Sequence, residues 1–167
     1  MQVHTTRDDH RIAWFTALAI TIHIAESALP SPLPGVKPGL ANVITIAVLV
    51  KFGWKMAAWV NLLRVIASSL LIGTFLSPTF IMSLSGALAS TSTLILLAQL
   101  PGRGCSPLGY SVAAAMIHMF VQFIVAYQLF IHHDGIFHLL PILMTAAFIF
   151  GIMSGIIATL MLRQLTF

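Results

Sequence analysis

The sequence predicts an all-α fold: an integral membrane bundle of six transmembrane helices with both termini cytoplasmic. Three observations carry this expectation. The chain of 167 residues is 59% apolar and only 7% charged, whereas a soluble domain averages about 25% charged residues. Six apolar stretches alternate with helix breakers. The cations gather on one set of connections, which orients the bundle.

The stretches run over about 11–29, 39–52, 55–76, 79–100, 108–131 and 139–163. Crossing the hydrocarbon core takes roughly 20 residues of helix. Breakers stand where the chain must turn: Pro30 to Pro38, Gly53, Ser77-Pro78, Pro101-Gly102 with Gly104 and Pro107, and His132 to Gly135. The second stretch covers only about 21 Å as a helix. The Pro-rich segment before it is therefore expected to dip into the membrane, which irregular backbone tolerates only beside protein or a wet cavity. Residues 1–10 read as a cytoplasmic tail and 11–167 as a single six-helix domain. Asp8 and Asp9 precede the first stretch and His23 interrupts it, which argues against a cleaved signal peptide.

Arg7, Arg11, Lys51, Lys55, Arg103 and Arg163 fall on the side of the termini, and Lys37 alone among the loop cations falls on the other. This bias places residues 26–42, the Thr74–Thr79 turn and the His132–His138 loop on the outer face. The cations are scattered singly without interleaved aromatics, so nucleic acid is not an expected partner. Cys105 is the single cysteine and reads as a loop residue. The sequence calls for no metal and no cofactor. His132, His133, His138 and Asp134 cluster in one loop, where solvation is the favoured reading over a metal site.

Ionisable and polar groups within the spans are costly and point to function. Glu26 lies near the outer end of the first span and Asn42 about one turn into the second. Arg64 sits near the middle of the third, between Asn61 and Ser68. His118 and Gln122 share a face of the fifth. Together they predict a polar interior open to the outside, with Glu26 and Asn42 at the rim and Arg64 and His118 at the floor. Three readings of Arg64 stay open: a locking ion pair with Glu26, a ligand-binding or gating role, or snorkelling to the cytoplasmic edge. Small residues form two further patterns. Ala13 and Ala17 make an AxxxA on the first span, and Gly151 and Gly155 a GxxxG on the sixth; close helix packing is the simplest reading of both.

The run Glu26, Pro-Leu-Pro-Gly-Val-Lys at 32–37 and Gly-Leu-Ala-Asn at 39–42, followed by Arg64, Ser83, Gly86, His118 and Gln122, resembles the bacterial Gx transporter family. That family is also described as heptaprenyl diphosphate synthase component I. The resemblance covers about 11–164, with departures at Pro38 and Met119. The family in turn resembles the substrate-binding S components of energy-coupling-factor transporters. The resemblance implies a subunit of the bacterial cytoplasmic membrane that captures a small molecule from outside. The pocket would be lined by Glu26, Lys37, Asn42, Arg64, His118 and Gln122. A lid would carry Pro32, Pro34, Gly35 and Gly39. Ala13 and Ala17 would dock on a transmembrane coupling subunit driven by ATPases.

Lys37 and Arg64 favour an anionic ligand, Arg64 through its bidentate fork. The chain lacks GxxxxGK[ST], so ATP hydrolysis would come from partners. An enzymatic reading fares worse. Prenyl transfer by the usual route needs clustered aspartates for magnesium and diphosphate, and Asp8, Asp9 and Asp134 are expected on opposite faces. An accessory subunit of prenyl or quinone metabolism, or a scaffold of a membrane redox complex, is the alternative.

Overall fold

The computed structural model of the protein describes residues 6–28, 39–99 and 105–164. Within them the chain is helical throughout, with no strand. Six α-helices follow in order: α1 Arg7–Ala28, α2 Ala41–Phe52, α3 Trp54–Ile72, α4 Pro78–Gln99, α5 Pro107–Leu129 and α6 Leu140–Gln164. A short 3-10 helix, Asp134–Leu139, precedes α6. Each expected stretch is a helix, displaced by a few residues at its ends.

Four segments are long and apolar enough to cross a membrane: α3, α4, α5 and Asp134–Gln164. The other two depart from that pattern for separate reasons. With 22 residues α1 is long enough, but it carries charges at its start and Glu26 near its end. Its start is fixed by a reciprocal capping box. Thr6 donates its backbone N–H (2.7 Å) and hydroxyl (2.8 Å) to Asp9 Oδ2, and the Asp9 N–H returns a bond to Thr6 Oγ1 (3.2 Å). These bonds hold the Asp9 carboxyl below its ordinary range.

α2 has only 12 residues, and eight of them are buried. A helix apolar all round belongs in a core. It packs against α1, α3, α5 and α6, so neighbouring helices rather than lipid surround it. Ser154 Oγ donates to the carbonyl of Gly39 at 3.4 Å. Ser154 lies about 21 Å along α6, so α2 begins deep within the bundle.

The connections follow their chemistry. Gly53 joins α2 to α3 at φ 90°, a conformation that L side chains rarely adopt. Ser106 caps α5 by accepting from the Gly109 N–H at 3.2 Å, with Pro107 at the first helical position. α5 and α6 lie against each other through the glycines of the GxxxG. A Cβ on Gly151 would stand 3.0 Å from Val112 Cα, and one on Gly155 would stand 2.8 Å from Leu108 Cα. This motif is internal packing.

The apolar core, built on Ala19, Ile46, Val48, Val60, Ala114 and Ala158, fills the half of the bundle nearer the termini. Large apolar residues outside it, including Leu71, Leu96, Ile149 and Leu160, are exposed around the helices, as a lipid-facing surface requires. On the terminal side Trp14 and Trp59 are exposed too. Arg11 lies over the Phe52 ring and Lys55 over Trp54. Tryptophans and cations together are the usual furniture of a membrane interface.

Candidate functional site

Arg64 is held on the inner face of α3 and is 5% exposed, so it does not snorkel to either membrane edge. Its orientation is set by Asn61, one turn earlier. Asn61 Nδ2 donates to Thr91 Oγ1 (2.8 Å) and to the carbonyl of Ala87 (3.3 Å), both on α4. That fixes the amide, so Asn61 Oδ1 faces Arg64 and accepts from Nη2 at 2.7 Å. Asn42 Oδ1 accepts from the same nitrogen at 3.3 Å. Arg64 Nε has no hydrogen-bond partner among the described residues. A guanidinium offers five donors and always carries its charge. Here its described acceptors are both neutral.

Glu26 is 4% exposed. One of its carboxylate oxygens accepts from the backbone N–H of Leu40, the residue that opens α2. The negative charge thus sits at the positive end of a helix, where it is stabilised. Among the described residues Glu26 and Arg64 form no ion pair; the salt bridge present there joins Arg11 to Asp8 at the surface, at 3.2 Å. Glu26 still acts electrostatically on Arg64. Glu26 and Asn42 do not form a rim above Arg64, because α2 begins deep in the bundle and brings Asn42 within reach of the guanidinium.

These groups border a cavity of about 480 Å³, within the range of small-molecule sites. Five of the expected ligand residues line it: Glu26, Asn42, Arg64, His118 and Gln122. Gly39 lines it as well. Lys37, Pro32, Pro34 and Gly35 lie outside the described residues. His118 and Gln122 stand on one wall, on α5. A Cβ on Gly86 of α4 would come within 3.0 Å of both side chains, so this glycine lets the imidazole lie against α4.

The sequence reading missed several lining residues. His23 precedes Glu26 by three positions, a spacing that puts both on one helix face and was the available signal. Ser111 and Ser154 are buried beside it on α5 and α6. Much of the remaining wall is apolar: Met82, Met119, Phe123, Leu143 and Phe150. Ile136 and Leu139 of the 3-10 helix also line the cavity. The 3-10 helix is tied to α5 by Tyr127, which donates to Asp134 Oδ1 at 3.0 Å, and by Phe137, which packs on Phe123 and Tyr127. No signal of helix periodicity distinguishes such wall residues from lipid-facing ones.

Of the five buried side-chain polar atoms without a partner among the described residues, Arg64 Nε, Ser111 Oγ and His118 Nδ1 belong to lining residues, while Thr16 Oγ1 and Thr45 Oγ1 lie away from the cavity. Ordinary cores satisfy nearly all such groups. Away from the cavity, Ala13 and Ala17 are exposed on α1. The histidine loop makes local bonds, with His133 Nδ1 accepting from the Gly135 N–H at 3.0 Å. Asp8 and Asp9 lie at the start of α1, while Asp134 lies beside the cavity roof.

A family model described as heptaprenyl diphosphate synthase component I matches residues 15–161. No curated protein and no solved structure matches the chain. With nearly its whole length accounted for by that model, this helical membrane protein belongs to the heptaprenyl diphosphate synthase component I family.

Proposed function

We propose that the protein is a membrane-embedded capture subunit of a small-molecule transporter, binding an anionic ligand in the cavity around Arg64. The observation that carries this reading is the state of Arg64. A permanent cation is buried beside an open cavity of about 480 Å³, and among the described residues its acceptors are neutral and its Nε has no partner. Glu26 acts on this cation but makes no ion pair with it among the described residues, and an anion in direct contact with the guanidinium would compensate the buried charge more fully.

In this reading Asn42, His118 and Gln122 add hydrogen bonds to the ligand, and Glu26 anchors α2 beside it. The excess of cations near the termini supports a cytoplasmic placement of both termini, with the cavity facing outward from a bacterial cytoplasmic membrane. The exposed Ala13 and Ala17 give a coupling subunit a close-packing surface on α1. Partner ATPases would supply the energy.

The family name favours a second reading, an accessory subunit for a prenyl diphosphate synthase. In that case the partner is the other synthase component, and Asp8, Asp9 and Asp134, at opposite ends of the bundle, leave the chemistry to it. Neither reading makes this chain the catalyst.

Mass spectrometry of the protein in mild detergent, recording small molecules and subunits together, separates the two. A stoichiometric anionic metabolite that disappears in Arg64→Ala, with membrane insertion intact, is the expected result. A reproducible synthase partner with no bound metabolite would replace capture by the accessory role.

A further inference from the structure

We infer that the ligand is an amphiphilic organic anion, with a compact anionic head at Arg64 and an apolar body against α5, α6 and the 3-10 helix. This inference rests on the capture reading above and narrows it to a class of ligand. The cavity is not uniformly polar. Its deep part gathers Arg64, Asn42, Ser111 and Ser154, the last within hydrogen-bond distance of Gly39 at 3.4 Å. Towards the 3-10 helix the lining on α5 and α6 turns to Phe123, Leu143 and Phe150, under Ile136 and Leu139.

The two regions ask for different chemistry. Both hydrogens of Arg64 Nη2 are committed to Asn42 and Asn61, so the guanidinium is fixed in place and its other donors define where an anionic head sits. The committed bonds bring no charge and Glu26 acts on the cation without pairing with it, so an anionic head in contact with the guanidinium is favoured over a neutral one. A small inorganic or two-carbon anion would satisfy Arg64 but leave the aromatic and aliphatic walls against water. An apolar body gains on the order of 25 cal/mol for each Å² it removes from water there. Size adds a bound. About 480 Å³ suits a compact molecule.

The test uses three defined probes against the full chain in lipid nanodiscs, with empty nanodiscs subtracted: 4-phenylbutyrate, 4-phenylbutanol and acetate. Equilibrium dialysis is expected to show saturable binding of phenylbutyrate, at least about tenfold tighter than either the neutral alcohol or acetate. Arg64→Gln should abolish the preference for the acid over the alcohol. Arg64→Lys, which keeps the charge, should retain part of it. Phe150→Ser should weaken phenylbutyrate binding and narrow its preference over acetate. Acetate and phenylbutyrate binding equally well would overturn the amphiphile inference and leave anion capture standing. Alcohol and acid binding equally well would overturn the anionic head. Absence of saturable binding by all three, in protein that remains monodisperse, would overturn both the inference and the capture reading.

Discussion

Arg64 and Asn61 show how one buried cation is made into a fixed donor. Asn61 is 2% exposed and spends its amide N–H groups on α4 and its oxygen on Arg64. Replacing it by alanine leaves Thr91, the Ala87 carbonyl and Arg64 without that partner, at a cost of about 1–3 kcal/mol. Asn61→Ala should therefore lower the thermal unfolding midpoint in detergent. Asn61→Asp asks a sharper question. A carboxylate 2.7 Å from Nη2 would give Arg64 the directly bonded counter-charge that it lacks among the described residues. We expect binding of the co-purifying anion to fall about tenfold or more, and the loss of the Nδ2 bonds to Thr91 and Ala87 to lower the unfolding midpoint as in Asn61→Ala. Undiminished binding in Asn61→Asp would mean that the charge of Arg64 is not what the ligand sees. Asn61 and Arg64 were legible as polar neighbours one turn apart in an apolar helix; that Asn61 orients Arg64 was not, since it depends on the bonds of Asn61 to α4. The capping of α2 by Glu26 was not legible, since a pairing 14 residues apart depends on where α2 begins.

At the scale of elements, glycines decide how the helices meet. A Cβ at Gly155 would strike the backbone of Leu108, which cannot swing aside. Gly155→Leu should push α5 from α6 and cost about 1–3 kcal/mol as overpacking. It should also disturb the cavity that these helices wall. Gly53 fails for a different reason. Nothing lies within 4 Å of a Cβ there, yet φ is 90°. Gly53→Ala should cost about 1–3 kcal/mol of backbone strain, read as a lower unfolding midpoint with the cavity site unaffected. A neutral Gly53→Ala would show that the α2–α3 joint relaxes. The six helices were legible from breakers and apolar runs. The character of α2 was only half legible: its shortness could be counted, but its burial on all sides follows from four neighbours that periodicity does not reveal. The same limit hid the apolar half of the site. Phe123, Leu143 and Phe150 look like any lipid-facing residues until α5, α6 and the 3-10 helix are placed around them.

For the whole molecule, the arrangement divides into a packed half near the termini and a hollow half near the 3-10 helix, and the proposed capture from outside requires the hollow half to face outward. The single cysteine supplies a first check. Cys105 is exposed just before α5, at the packed end. In intact cells a membrane-impermeant maleimide should leave it unlabelled until the membrane is permeabilised. Labelling without permeabilisation would invert the topology. The most direct measurement of the central claim places a probe in the cavity itself. Ser83 lines it from α4, and Ser83→Cys in a Cys105→Ser background puts one thiol there. The account predicts that the impermeant maleimide reaches this thiol in intact cells, and that the small-molecule fraction of a cell extract slows the reaction. Labelling only after permeabilisation, or at a rate the extract leaves unchanged, would contradict an outward-facing cavity that captures a ligand.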